Sequence, residues 1–174
     1  AILCYNKAIE QAPNQAEYYN NRGVAYLELE RFTEAINDFN MAANRNSKIA
    51  EIDNNRGNTL MLLRKPFEAL ASYHAAIGKR KDYADAHIGA AMAMLMMGRL
   101  EEGFKEFEWR WQSGPMKARG LAYPSWEGEH AKHKDDVLLF YGEQGMGDVL
   151  QFCRYVKIIK EAWGGKVWLE CVHP

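Results

Sequence analysis

This sequence has few cysteines, no long apolar runs and almost no net charge. Its 174 residues include only three cysteines, without a CxxC spacing, which predicts neither a disulfide framework nor a zinc site. Lysine and arginine total 22 against 23 aspartates and glutamates, so charge gives no reason to expect nucleic acid as a partner. The apolar stretches, such as 88–97, fall short of the ~20 residues that a membrane helix needs, so we expect no membrane span.

The start of the sequence has neither an initiator methionine nor a signal peptide. Residues 1–14 have the periodicity of the middle of an amphipathic helix, so we expect the sequence to be part of a longer chain. An odd number of cysteines without a disulfide pattern favours a reducing compartment, and we therefore expect a cytoplasmic protein. Hydrophobic residues make up 48%, which is enough apolar side chain for a folded core.

A repeat organises the first two thirds of the chain. Residues 16–49 and 50–83 align without a gap as two full copies, a third copy covers 84–113, and 1–15 fit the second half of an earlier copy. Small and aromatic residues recur at matching positions: Gly23 with Gly57, Ala35 with Ala69, Phe39 with Tyr73, and Ala42 with Ala76. Apolar spacings of three and four within each copy predict two amphipathic helices.

The length of one copy and this pattern of residues resemble the tetratricopeptide repeat. The resemblance implies a mainly α fold over 1–113, a right-handed solenoid with a concave groove lined by the first helix of each pair. It also implies that the groove binds a protein or peptide. Because repeats contact only their neighbours, the solenoid ends are a possible site of self-association.

Asparagines recur on the predicted groove face. Two copies share the string NNRG, and the asparagines of interest are Asn20, Asn21, Asn54, Asn55 and Asn58. A carboxamide offers both a donor and an acceptor, which suits recognition of a peptide backbone. Asn21 and Asn55 resemble the asparagine ladder of O-linked N-acetylglucosamine transferases, and Gly89 interrupts the ladder in the third copy. The alternatives are that these side chains tie neighbouring helices together or face water.

A different pattern follows the repeats. Residues 114–135 are polar and irregular, as in a linker, and 136–174 predict strand, glycine-rich turn, helix and strand. The apolar run 137–141 predicts a strand buried on both faces, and 166–172 predict the second strand. This order is a βαβ unit, an incomplete Rossmann-like fold whose ligand loop would follow the first strand. The loop residues that could receive an anion are Gly142, Gln144, Gly145 and Gly147.

Three strings of this region, FEWRW, SWEGE and YGEQGMGDVLQFCRY, resemble bacterial proteins that join tetratricopeptide repeats to a glycosyltransferase-like domain. The resemblance extends to heptosyltransferases, and it implies that Asp148 matches a proposed general base. On residue chemistry alone, Asp148 is either a helix cap or a base. A sugar nucleotide would be held mainly by a second domain that is absent here, so we expect the chain by itself to be inactive and to need no cofactor.

The sequence therefore supports a peptide-binding repeat module as the leading function. A glycosyltransferase parent and a self-assembling scaffold are the alternatives. We expect no metal site, because Glu129, His130 and His133 have a plausible spacing but no further ligand nearby.

Overall fold

The computed structural model describes residues 1–113, 126, 128–141 and 153–170. The chain divides into two compact units, Ala1–Gly120 and Leu121–Pro174. The division falls inside the segment 114–135, where the sequence predicts a linker.

The first unit consists of consecutive antiparallel helix pairs. The helices are α1 Ile2–Gln11, α2 Ala16–Glu28, α3 Phe32–Arg45, α4 Ala50–Leu62, α5 Pro66–Lys79, α6 Ala84–Met96 and α7 Leu100–Phe107. We call α2, α4 and α6 the A helices, and α1, α3, α5 and α7 the B helices. Each A helix packs on the B helix that follows it and on the one that precedes it, and neighbouring A helices also touch. The expected mainly helical repeat solenoid is confirmed.

The turn inside each helix pair has the same geometry in all three copies. Glu30, Arg64 and Gly98 occupy the same position of successive repeats and adopt positive φ angles of 58°, 58° and 78°. The next amide in each turn, for example Lys65 N–H to Leu60 C=O at 2.9 Å, bonds back across the helix end. This is a Schellman C-cap, which satisfies carbonyls that the helix leaves unpaired. Glycine is the usual residue at this position, and only the third copy has it.

The last described residues of the first unit fold back onto α6. A 3₁₀ helix, Glu108–Gln112, continues α7. The Trp109 ring stacks on the His87 ring with centroids 3.9 Å apart and an angle of 7° between the planes. His87 is buried, its Nδ1 contacts the Glu106 carboxylate, and its Nε2 donates to the Lys81 carbonyl at 2.9 Å. Both ring nitrogens therefore face oxygen atoms, which hold the ring in place, and the stacking of Trp109 on this ring holds the 3₁₀ helix against α6.

The second unit contains two short parallel strands and a helix between them. β1 Val137–Tyr141 pairs with β2 Lys166–Glu170 in the register Val137↔Lys166, and α8, Val156–Trp163, follows a 3₁₀ turn. The expectation that β1 is buried on both faces is wrong. In β1, Val137 and Leu139 keep 41% and 38% of their surfaces exposed, and Trp168 opposite Leu139 on β2 keeps 63%. Among the described residues, α8 packs on β2 and leaves these side chains open.

None of the helices in the described residues is long and apolar enough to span a bilayer.

Candidate functional site: an asparagine-lined groove

An open groove with a volume of about 650 Å³ crosses the A helices α4 and α6. Its described lining consists of Asn54, Asn58, Met61, Leu62, Tyr73, Asp85, Ile88, Gly89, Met92 and Ser113. Residues four apart share a helix face, so Asn54, Asn58 and Leu62 form one stripe along α4. Asp85, Ile88 and Met92 form the corresponding stripe on α6. The groove is therefore polar towards the N-terminal ends of α4 and α6, at Asn54 and Asp85, and apolar towards their C-terminal ends, at Leu62 and Met92.

Asn54 is the most unusual side chain of the lining. It is only 6% exposed, and its Oδ1 atom is buried with no hydrogen-bond partner among the described residues. A buried carbonyl oxygen without a donor costs about 1–3 kcal/mol. A peptide N–H group that reached this oxygen, once the side chains covering it had moved, would remove this cost.

Asn58 has its amide orientation set by a neighbour. The Tyr73 hydroxyl donates to Asn58 Oδ1 at 2.8 Å. Burial raises the pKa of Tyr73, so its phenol stays protonated and acts as the donor. Because the Asn58 oxygen is engaged, its NH₂ group is left as a donor on an exposed side chain at the groove.

The other three candidate asparagines form a chain of hydrogen bonds between α4 and α2. Asn55 Nδ2 donates to Asn20 Oδ1 at 3.1 Å, and Asn20 Nδ2 lies 3.4 Å from Asn21 Oδ1. These bonds tie neighbouring A helices, one of the alternatives that the sequence left open. The chain ends at the exposed Asn21, whose NH₂ group remains a donor, and at Asn55, whose Oδ1 remains an acceptor.

Three of the five asparagines thus present free groups along neighbouring A helices. Asn58 and Asn21 offer NH₂ groups and Asn55 offers a carbonyl oxygen, whereas the unpaired oxygen of Asn54 is buried beneath the groove surface. An extended peptide presents the complementary alternation of C=O and N–H groups. The arrangement can therefore hold a main chain without reading its side chains.

The packing beneath the groove depends on two glycines on either side of Tyr73. A Cβ atom on Gly57 would lie 2.7 Å from Cε1 of Tyr73, and one on Gly89 would lie 2.4 Å from the same atom. The ring thus fills the space between α4 and α6, where its hydroxyl reaches Asn58. Gly23 stands in the same relation to Phe39, at 2.7 Å. The pairing of small and aromatic residues seen in the sequence is confirmed.

Sequence reasoning missed the arginine of each NNRG string. Arg22 donates from Nη1 to Asn6 at 2.8 Å, and Arg56, its counterpart in the next repeat, donates from Nη1 to Asn40 at 3.2 Å. Their Nε atoms reach the B helix of their own pair, at Asp38 and Ser72 respectively. Each arginine therefore fastens an A helix to the B helices before and after it.

The sequence contains a pattern that could have predicted these arginine–asparagine contacts. The arginines and their asparagine partners both recur at the same positions of successive repeats. In the third copy Ala90 takes the arginine's place, so the contact ends there.

The residues predicted for the second unit are only partly placed. Gly142, Gln144, Gly145, Gly147 and Asp148 lie outside the described residues. Glu129, His130 and His133 are exposed. Over the described ranges, no group of three His, Cys, Asp or Glu side chains is arranged to hold a metal ion.

Comparison with known proteins addresses the repeat unit. The tetratricopeptide repeat family model matches residues 4–37. The chain is 25% identical over 166 residues to protein FlbA of Caulobacter vibrioides, a match that covers 94% of this chain and 22% of FlbA. The chain thus spans about a fifth of the length of this relative.

Many solved structures share the fold of the helical unit, including the following two. One is the first TPR of Spaghetti (RPAP3) bound to the HSP90 peptide SRMEEVD, with a TM-score of 0.56, 21% identity, and coverage of 58% of this chain and 82% of that one. The other is YrrB, a TPR protein with an unusual peptide-binding site, with a TM-score of 0.57, 24% identity, and coverage of 66% and 59%.

The constant repeat length, the Schellman turns, the glycine–aromatic contacts and these comparisons agree. The helical unit of this chain has the fold of a TPR-like solenoid.

Proposed function

We propose that the groove binds an extended peptide segment of a partner protein and holds its main chain through the asparagines. The observation that carries the proposal is the buried, unpaired oxygen of Asn54 beside the free NH₂ group of Asn58. The peptide-bound RPAP3 structure and the peptide-binding site of YrrB support it, because both proteins share this fold.

The test starts from a displayed random-peptide library selected on the wild-type chain, followed by calorimetry with the selected peptides. Asn54→Leu replaces an unpaired oxygen by an apolar group of similar size, so the free energy of unfolding should not fall. Peptide affinity should fall by roughly five- to tenfold, because one hydrogen bond is lost. Asn44→Ala is the matched control, since Asn44 is exposed on α3 and does not line the groove.

Asn54→Leu separates peptide binding from the tying of helices better than a substitution of Asn55 would. Removing Asn55 would also break its bond to Asn20 between the A helices. Unchanged peptide affinity in Asn54→Leu with unchanged stability would contradict the proposal, as would the recovery of no groove-binding peptide at all.

We propose as a second candidate that the 174 residues belong to a larger protein with a glycosyltransferase-like domain, in which Asp148 acts as general base. The parallel pairing of β1 and β2 around α8 supports it. So does the open apolar face at Leu139 and Trp168, because parallel sheets are usually covered on both faces. In the longer protein, Asp148→Asn should cut turnover by about 10²–10⁴-fold. Full activity in that variant would leave Asp148 as a helix cap.

Self-assembly is the third possibility, and the terminal B helices favour it. Leu3 on α1 and Leu100 and Phe104 on α7 are exposed. Light scattering over a concentration series separates a scaffold, whose mass rises, from a monomeric peptide binder, whose mass stays constant. A cytoplasmic location remains a prediction, and the exposed Cys4 is a free thiol.

A further inference from the structure

The apolar end of the groove can receive a large side chain. Leu62 and Met92 keep 59% and 46% of their surfaces exposed, and Met61 and Ile88 are half-buried beside them in the same lining. Methionine side chains are flexible and adapt to apolar groups of different shape. This patch adjoins Asn58, so a peptide held by the asparagines would place a side chain against it.

The charge at the groove is negative. Asp85 is the one charged residue among the described residues of the lining. It is exposed and accepts a hydrogen bond from the Ser113 hydroxyl at 2.9 Å. Glu51 and Glu17 occupy the same position in the first turn of the preceding A helices, one and two repeats earlier. Arg80 neutralises Glu51 at 2.7 Å, whereas Glu17 is exposed.

We propose that the groove selects an extended segment in which a large apolar side chain stands near a lysine or arginine. The apolar side chain contacts Met61, Met92 and Ile88, the basic side chain pairs with Asp85, and the main chain meets Asn54 and Asn58. This inference rests on the proposed function and adds the chemistry of the partner. The unpaired oxygen of Asn54 in the same lining is the independent sign of a ligand.

The same charge distribution disfavours an acidic peptide. No lysine or arginine is found among the described residues that line the groove, and Arg80, which lines the neighbouring pocket with Asp85, is already paired with Glu51. A carboxylate in the groove would therefore be repelled by Asp85. An acidic side chain in a first turn also complements the helix dipole, which gives Asp85 a structural reason to be there. The experiment must therefore separate stability from selectivity.

The probes are three pools of fluorescein-labelled, C-terminally amidated octapeptides of random order. The first contains Lys, Leu and Ser, the second Glu, Leu and Ser, and the third Lys and Ser without Leu. We expect the first pool to bind about fivefold or more tightly than the second at low salt, with the ratio falling as salt is added. We expect it to bind about tenfold more tightly than the third, because a leucine is buried against the methionines.

Two variants assign these preferences to the groove. Asp85→Asn should reduce the preference for lysine over glutamate at least twofold, and Met92→Ser should reduce the preference for leucine. Glu101→Gln is the matched control, because Glu101 is also a first-turn acid, on α7, and does not line the groove. Urea unfolding of each variant shows whether stability has changed.

Each result has a definite meaning. If the glutamate pool binds as tightly as the lysine–leucine pool or more tightly, the charge preference is wrong. If the leucine-free pool binds as tightly as the lysine–leucine pool, the groove does not select an apolar side chain. In both cases peptide binding itself survives. Binding of none of the pools overturns this inference, and if the random library also yields no binder, the proposed function fails with it.

Discussion

Gly57→Ala should destabilise the solenoid although alanine is the better helix former. The added Cβ atom would lie 2.7 Å from Cε1 of Tyr73 and 2.9 Å from Cδ1 and Cζ. Carbon atoms at contact prefer about 3.5–4.0 Å, so the ring or the helix must move by roughly 1 Å. Tyr73 is 2% exposed, and Gly89 approaches the ring from the next A helix, so the ring has no free space to enter.

The size of the effect follows from two opposing terms. Overpacking a rigid, buried contact costs about 1–3 kcal/mol. Replacing a helical glycine by alanine gains about 0.5–1 kcal/mol. We therefore expect Gly57→Ala to lower the free energy of unfolding by roughly 1–2 kcal/mol, as measured by urea titration followed by circular dichroism in the far ultraviolet.

Gly78→Ala is the matched control. Gly78 lies in α5, and a Cβ atom there would meet nothing within 4 Å beyond its own stretch of helix backbone, so only the helix-propensity gain applies. This variant should be more stable than the wild type by up to about 1 kcal/mol. In a Tyr73→Leu background the penalty of Gly57→Ala should largely disappear. Equal stability of Gly57→Ala and Gly78→Ala would refute the packing argument.

Three further changes test other contacts of the repeat unit. Arg56→Met removes bonds to two B helices and should lower the free energy of unfolding by about 1–3 kcal/mol in the same titration; an unchanged value would mean that the arginine merely lies on the surface. Arg64→Gly relieves a φ of 58° and should stabilise the fold by up to about 1 kcal/mol, whereas a loss would show that the turn is not strained. His87→Ala leaves Glu106 and the Lys81 carbonyl without their partner and should cost about 1–3 kcal/mol. The fluorescence of Trp109 should change with it, and unaltered fluorescence would contradict the stacking.

The fold of the repeat unit is largely predictable because its period determines it. The A helices begin at Ala16, Ala50 and Ala84, the first residue of each copy, and each turn follows at the same distance. Glycine opposite an aromatic ring also follows from the alignment, because two helices can approach closely only where one side chain is missing. These features depend on residue size and spacing, which a sequence states directly.

The hydrogen bonds of the asparagines are not predictable in this way. Whether Asn58 presents its oxygen or its NH₂ group to the groove depends on Tyr73, which lies on the following B helix. The unpaired oxygen of Asn54 likewise depends on which donors its neighbours place nearby. Burial of β1 was overestimated for a related reason, since an apolar run shows what a strand could bury and not which layers cover it.

The central claim is that the asparagines of the A helices contact a peptide main chain. The side-chain NH₂ resonances in a ¹H–¹⁵N correlation spectrum of the labelled protein test it most directly, during titration with the tightest-binding library peptide. We predict that the signals of Asn54 and Asn58 shift with the occupancy of the peptide, whereas those of Asn44 on α3 stay in place. Shifts confined to the B helices, with Asn54 and Asn58 unaffected at saturation, would contradict the claim.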